Sequence, residues 1–362
     1  MNLRFGDEDW ARIARDYTAW WNHALDRPLV QIMGWEPEPG REYPELPRRV
    51  AGFGDEMSPE EMVDRVTPHL EATRYYGDAF PRWWVDFGPG MMAGFLGAEV
   101  HVVPETVWFS PSAESTIWDL HPTYDPDNFW WQRIQAVTRV AVEAWGKRVQ
   151  VGHTDLGGNL DVLASLRTTE GLLLDLYDAP EEVDRLVAEI TALWLRYYDE
   201  LDALIRPTCR GTVPWAPIWS PGTSYMLQCD FAYMISPQMF ERFVLPDLTA
   251  CCEHLAHGFY HLDGPAQIQH VDMLLGIERL RGIQWVPGAG NPEPEGWPDL
   301  LRRIVAGGKR CQVAVSAAGA LEIVRQVGGR GFMLTVADRM TAEEAADYLA
   351  LLAREDRGAA RR

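Results

Sequence analysis

From about residue 83 onward the 362-residue chain alternates short apolar runs with longer amphipathic stretches, and this alternation constrains the fold more than any other feature. The apolar runs begin near residues 83, 102, 149, 212, 259, 283, 312 and 332. Parallel strands need crossover connections, so repeated strand-then-helix units specify a mainly parallel sheet with helices packed on it. Eight such units predict an α/β fold of the (β/α)₈ TIM barrel type, rather than an open doubly wound sheet. On this reading residues 1–80 form an N-terminal helical extension packed on the barrel. Residues 81–362 form the catalytic barrel, and the two make one structural domain.

Local signals place the helices. Trp10, Ile13, Tyr17, Trp20 and Ala24 share one helical stripe. Ser58-Pro59-Glu60-Glu61 is a capping box with proline in the first turn, which predicts a helix over 59–76. Between these helices, residues 29–33 are a short apolar segment leading into an irregular Pro/Gly/Glu-rich excursion. Phe129, Ile134, Val137 and Val140 are expected inward on a helix that starts after Asp127. Val183, Leu186, Val187, Ile190, Trp194, Tyr197, Leu201 and Leu204 form the buried stripe of a long helix.

Charge narrows the partners. With 33 basic against 53 acidic residues the net charge is −20, which argues against nucleic acid or an anionic membrane as the main ligand. No apolar run approaches the ~18 residues a membrane span needs. Five cysteines without a CxxC motif, and no apolar leader after Met1, fit a reducing cytoplasm. Gly288-Ala289-Gly290 lacks the strand–turn–helix setting of a dinucleotide site and there is no Walker lysine, so no nucleotide cofactor is expected. Ser220 and Ser316 have no neighbouring base in sequence.

Chemistry-bearing residues collect at the expected strand ends. In Phe259-Tyr260-His261-Leu262-Asp263-Gly264, residues two apart point the same way, so His261 and Asp263 share a face. The pair can form an acid–base couple, half of a divalent-metal site, or simply a hydrogen bond that orients the strand end. His153 and Asp155 repeat the spacing, and Asp86 ends the run that starts at Trp83. Asp86 and Asp155 are the acid–base candidates, with His261 and Asp263 as metal ligands and Asp155 or His153 as a third. His153, Trp215, Trp219, Gln284 and Trp285 are the substrate-binding candidates, joined on the last strand by Thr335 and Asp338. Sixteen tryptophans exceed what a core of this size needs, and some should line a pocket.

Four stretches together resemble the uroporphyrinogen decarboxylase superfamily. They are Asp86 with the following Gly/Ala-rich run to Gly97, the 160–178 run with Pro180-Glu181-Glu182-Val183, Ile235-Ser236-Pro237-x-x-Phe240-x-x-Phe243, and His261-x-Asp263-Gly264. That resemblance implies a (β/α)₈ barrel and an enzyme acting on a small molecule. The superfamily also includes zinc-dependent methyltransferases that move methyl groups between corrinoid proteins and thiols, so it implies methyl transfer with a corrinoid protein as partner, or decarboxylation or another lyase reaction. The chain departs from both branches. It lacks the Arg-Gln-Ala-Gly-Arg stretch that receives porphyrinogen carboxylates, and His261-x-Asp263 and Thr335 stand where the methyltransferases have two cysteines. An N/O donor set of this kind suits Zn²⁺ or Mn²⁺. A sugar- or polyol-binding barrel with a tryptophan-lined pocket is the competing reading, and a homodimer is left open.

Overall fold

The computed structural model describes residues 1–359; the last three residues of the expected barrel domain, 360–362, lie outside them. Eleven strands are β1 (Leu29–Trp35), β2 (Thr73–Gly77), β3 (Arg82–Trp84), β4 (Glu99–Val102), β5 (Val107–Ser110), β6 (Gln150–Gly152), β7 (Ser224–Gln228), β8 (His257–Asp263), β9 (Leu280–Val286), β10 (Arg310–Val315) and β11 (Phe332–Arg339). Seven join in one sheet, in the order β2-β1-β11-β10-β9-β8-β7. Its pairs are parallel except at the edge, where β2 runs antiparallel to β1. A separate parallel pair, β3 with β6, and the antiparallel hairpin β4–β5 complete the strands. Thirteen α-helices lie along the described chain, giving a mixed α/β protein with a parallel central sheet.

The sheet is not closed, which differs from the expected barrel. Pro81 precedes β3, and Pro214 and Pro217 interrupt the segment between β6 and β7; proline has no N–H to continue a ladder. On the other side β2 occupies the free edge of β1. Three expectations change in consequence. Residues 29–33, expected to be a short apolar segment of the extension, belong to β1, a strand of the central sheet. Residues 102–109 contribute to the β4–β5 hairpin instead of a parallel strand. Near residue 212 there is only an antiparallel bridge from Thr212 to Ser220, and the strand proper is β7.

Two hydrophobic clusters hold the layers. The larger lies between the sheet and its helices and takes in the long helix Pro180–Ile205, whose expected stripe is buried except at Leu204, which is half-buried. The smaller is built by the helix Asp7–Trp21, which sets Trp10, Ile13, Tyr17, Trp20 and Trp21 against Leu29, Phe259 and Met333 near the strand starts. Ala24 lies beyond this helix and is exposed. Phe129, expected inward, is 51% exposed at the first position of its helix. The Ser58–Glu61 capping box forms, but its helix stops at Ala72, where β2 takes over. No helix among the described residues is long and apolar enough to cross a membrane.

Candidate functional site

At the end of β8 the alternation places Phe259, His261 and Asp263 on one face and Tyr260 and Leu262 on the other. Phe259 is consumed by packing under Trp20. His261 is half-buried, with its Nε2 3.9 Å from Asp263 Oδ2. Asp230, just past the end of β7, brings a third donor, and the three donor atoms lie within 4.8 Å of one another. Ligands of a tetrahedral ion held at ~2.1 Å stand roughly 3.4 Å apart, so small side-chain rotations would close this trio on a metal. The indole of Trp215 meets the His261 ring edge-on at 5.2 Å.

The tautomer of His261 follows from a chain of side chains across the sheet. Gln31 Nε2 donates to the carbonyl of Pro217 at 2.8 Å and to Tyr17 at 2.7 Å. A carbonyl can only accept, so the orientation of the Gln31 amide is settled, and its Oε1 must accept from Thr335 Oγ1 at 3.2 Å. Thr335 in turn accepts from Gln312 Nε2 at 3.1 Å, and Gln312 Oε1 accepts from Gln284 Nε2 at 2.5 Å. That leaves only Gln284 Oε1 to face His261 Nδ1, which therefore carries the hydrogen. In neutral His261 the Nε2 lone pair is then free on the side of Asp263, the tautomer a metal ligand or proton acceptor needs. The strands keep the chain in register: His261 pairs with Gln284, Gln284 with Gln312, and Gln31 with Thr335.

Beyond Asp230 lie two buried carboxylates, Asp155 and Asp86, and the half-buried Asp161. Asp155 accepts the Gly157 N–H at 2.9 Å, yet burial outweighs that bond and, with a smaller push from Asp230, raises its carboxyl to about 7. Asp161 is raised by burial and by Asp230, and its two oxygens accept the backbone N–H groups of Asp230 and Phe231 at 2.9 and 2.7 Å. Asp161 thus holds the turn that carries Asp230. Crowding by protein also raises Asp230, a charge on His261 opposes this, and Asp263 adds to it. Asp86 is shifted up by burial, but Arg49 Nη1 donates to both of its oxygens at 2.8 and 2.9 Å and works against that shift. The turn after β6 fits because Gly157, at φ 88°, passes the Gly90 backbone; a Cβ there would lie 2.7 Å from Gly90 Cα. A cleft of about 530 Å³ opens beside Asp230, lined among others by Gly90, Phe109, Asp161 and Gln228.

The structure therefore brings together His261, Asp263, Gln284, Trp215 and Thr335, with Asp155 and Asp86 in the adjoining acidic group. Three expected binding residues lie elsewhere. His153 is fully buried against the long helix, stacked on Tyr198, with Nδ1 3.3 Å from the Val213 carbonyl; burial lowers its pKa. It follows the end of β6 at Gly152, so strand alternation does not govern it. Trp219 is packed with Tyr17 in the smaller cluster, and its carbonyl accepts from Trp21 Nε1. Trp285 adjoins Gln284 on β9 and so points the opposite way, into Trp297. Asp338 accepts the Ala317 N–H at the start of the helix Ala317–Val327.

Sequence reasoning missed Asp230, Asp161, Arg49, Gln31 and Gln312. The glutamines had a signal. Val30-Gln31-Ile32, Ile283-Gln284-Trp285 and Cys311-Gln312-Val313 each set one amide between two apolar residues, and buried amides need partners.

No family model matches the chain, and no curated protein sequence matches it. Among solved structures, a methyltransferase from Methanosarcina mazei superimposes with a TM-score of 0.63 over 95% of this chain and 98% of its own, at 11% identity. At that identity the likeness is one of fold.

Proposed function

We propose that this protein is a divergent enzyme of the uroporphyrinogen decarboxylase-like superfamily that transfers a one-carbon group to or from a small polar substrate. Its sheet is read as an opened form of that superfamily's (β/α)₈ barrel. The observation that carries the reading is the Asp230–His261–Asp263 trio, with the glutamine chain holding the hydrogen on His261 Nδ1 and turning Nε2 toward the carboxylates. The shared fold with a methyltransferase fits it. Bound there, Zn²⁺ or Mn²⁺ would act as a Lewis acid on a substrate oxygen or sulfur. Asp155, with a carboxyl at about 7, would give or take the accompanying proton near neutrality. Asp86 is engaged by Arg49 and orients that wall instead. A corrinoid protein is the methyl carrier this reading calls for.

Asp155 also keeps a decarboxylase or other lyase in view, because a carboxyl near 7 can protonate a carbanion left by a departing group. The sugar-binding reading loses its support, since Trp219 and Trp285 are core residues and only Trp215 stands beside His261.

The test is chelation followed by add-back of Zn²⁺ or Mn²⁺, with loss of the methyl–cobalt absorbance of methylcobalamin in the presence of small thiols as the readout. Turnover that returns with the metal and is absent in His261→Ala supports the proposal. Full activity after chelation, or unchanged metal content in His261→Ala, overturns it.

A further inference from the structure

Arg82, the first residue of β3, has no acidic partner among the described residues. Its one hydrogen bond runs from Nη1 to the Trp215 carbonyl at 3.0 Å, which leaves four of the five guanidinium N–H groups unspent. Its neighbours in charge terms are the phenols of Tyr17 and Tyr75, both held neutral by burial well above their ordinary range. Burial lowers the guanidinium only to about 10, so it stays cationic at neutral pH. Arg82 is half-buried, so its remaining N–H groups keep accessible surface on which a ligand could be bound.

What accessible surface Arg82 has opens into a cavity of about 290 Å³, near the lower end of small-ligand pockets at roughly 300 Å³. Leu70, Tyr75, Phe80 and Pro217 give it apolar walls, and Gln31, Thr335 and Thr73 contribute polar ones, the Thr73 hydroxyl donating to the His69 carbonyl at 2.8 Å. Gln31 and Thr335 are already committed to each other and to the chain leading to His261, so the Arg82 fork is the free donor group. Trp215 ties the two places together, its carbonyl holding Arg82 and its ring lying against His261.

We propose that this cavity is the anion subsite for the substrate, with the Arg82 fork taking the carboxylate of a small organic acid whose apolar body lies against Tyr75 and Phe80. A planar carboxylate matches a guanidinium edge with two parallel hydrogen bonds. A phosphate dianion would leave oxygens without donors between apolar walls. That the bound acid is the substrate rests on the function proposed above; the anion site itself does not.

The experiment uses benzoate and its uncharged counterpart benzamide as probes, titrated at pH 7 into the full chain without added metal and followed by calorimetry and tryptophan fluorescence. Wild type should bind benzoate at least tenfold more tightly than benzamide. Arg82→Gln should remove that preference, and Ala79→Leu, which narrows the cavity and keeps the guanidinium, should weaken both probes. Arg82→Lys keeps the charge without the fork and should fall between wild type and Arg82→Gln. His261→Ala should bind benzoate as wild type does, so a failed metal reading would leave this result standing. Equal affinity for the two probes, unchanged benzoate binding in Arg82→Gln, or loss of binding in His261→Ala would each overturn the assignment.

Discussion

Gln31 and Pro217 are 186 residues apart in the chain, yet the 2.8 Å bond from the Gln31 amide to the Pro217 carbonyl sets the direction of every hydrogen bond from there to His261. Gln284→Leu cuts the chain next to the imidazole, frees its tautomer and removes the acceptor from Nδ1. Metal affinity should fall ~10–100-fold, the usual effect of removing the second partner of a ligating histidine. Calorimetric titration with Zn²⁺ measures this, and ¹⁵N shifts of the ring should show Nδ1–H in wild type and a tautomer mixture in the variant. Unchanged affinity and tautomer in Gln284→Leu would dismiss the chain as a determinant of the site.

Arg49 and Asp86 test whether the acidic wall is held by pairing. Both side chains are mostly buried, so removing the cation strands a carboxylate. Arg49→Met should cost about 3 kcal/mol in urea unfolding. The double variant Arg49→Met/Asp86→Asn should recover a large part of that loss, because it leaves no buried charge. If the double variant is as unstable as the sum of the two single ones, the pair contributes no coupling.

Much of this site could be read from the chain, and the failures share a physical origin. His261 and Asp263 were legible because β8 is seven residues long and regular, so alternation holds to its end. The same rule misplaced His153 because β6 spans only three residues and the chain has left the strand before it. Asp230 was invisible because its strand, β7, follows a Pro-rich stretch whose apolar residues drew the strand assignment to 211–217, where the prolines prevent a ladder. β1 was read as a stray apolar segment because its parallel partner β11 lies some 300 residues away, and no local signal reports a pairing that distant. Closure of the sheet failed at the seams for the same reason of missing N–H groups.

Asp155 should also leave a mark on stability. Its carboxyl is raised to about 7 in the folded state, against an ordinary value near 3.8. Between these values the folded chain holds a proton that the unfolded chain has released, so the stabilising contribution is complete below the lower value and is lost as pH rises through about 7. Asp155→Asn removes this dependence. The difference in unfolding free energy, variant minus wild type, should become more positive from pH 5 to pH 8, approaching a few kcal/mol as an upper bound at ~1.4 kcal/mol per pKa unit. A difference that stays flat over this range would mean that Asp155 is ionised throughout.

The trio itself makes the last prediction. His261 and Asp263 come from one strand and Asp230 from the turn after the neighbouring one, so the trio depends on Asp161 holding that turn by two backbone N–H bonds. If Asp230 is a ligand, Asp230→Asn and Asp263→Asn should each lower affinity for Zn²⁺ or Mn²⁺ at least tenfold, and Asp161→Asn should do so indirectly by loosening the turn. A neutral amide oxygen is a weaker donor than a carboxylate for such ions. Asp86→Asn, on the Arg49-bound wall, should leave the affinity within about twofold, since Asp86 is not one of the clustered donors and Arg49 already balances its charge. Should Asp86→Asn weaken binding as much as Asp230→Asn, the ion would be attracted by the acidic group as a whole, and the assignment of Asp230 as a specific ligand would fail.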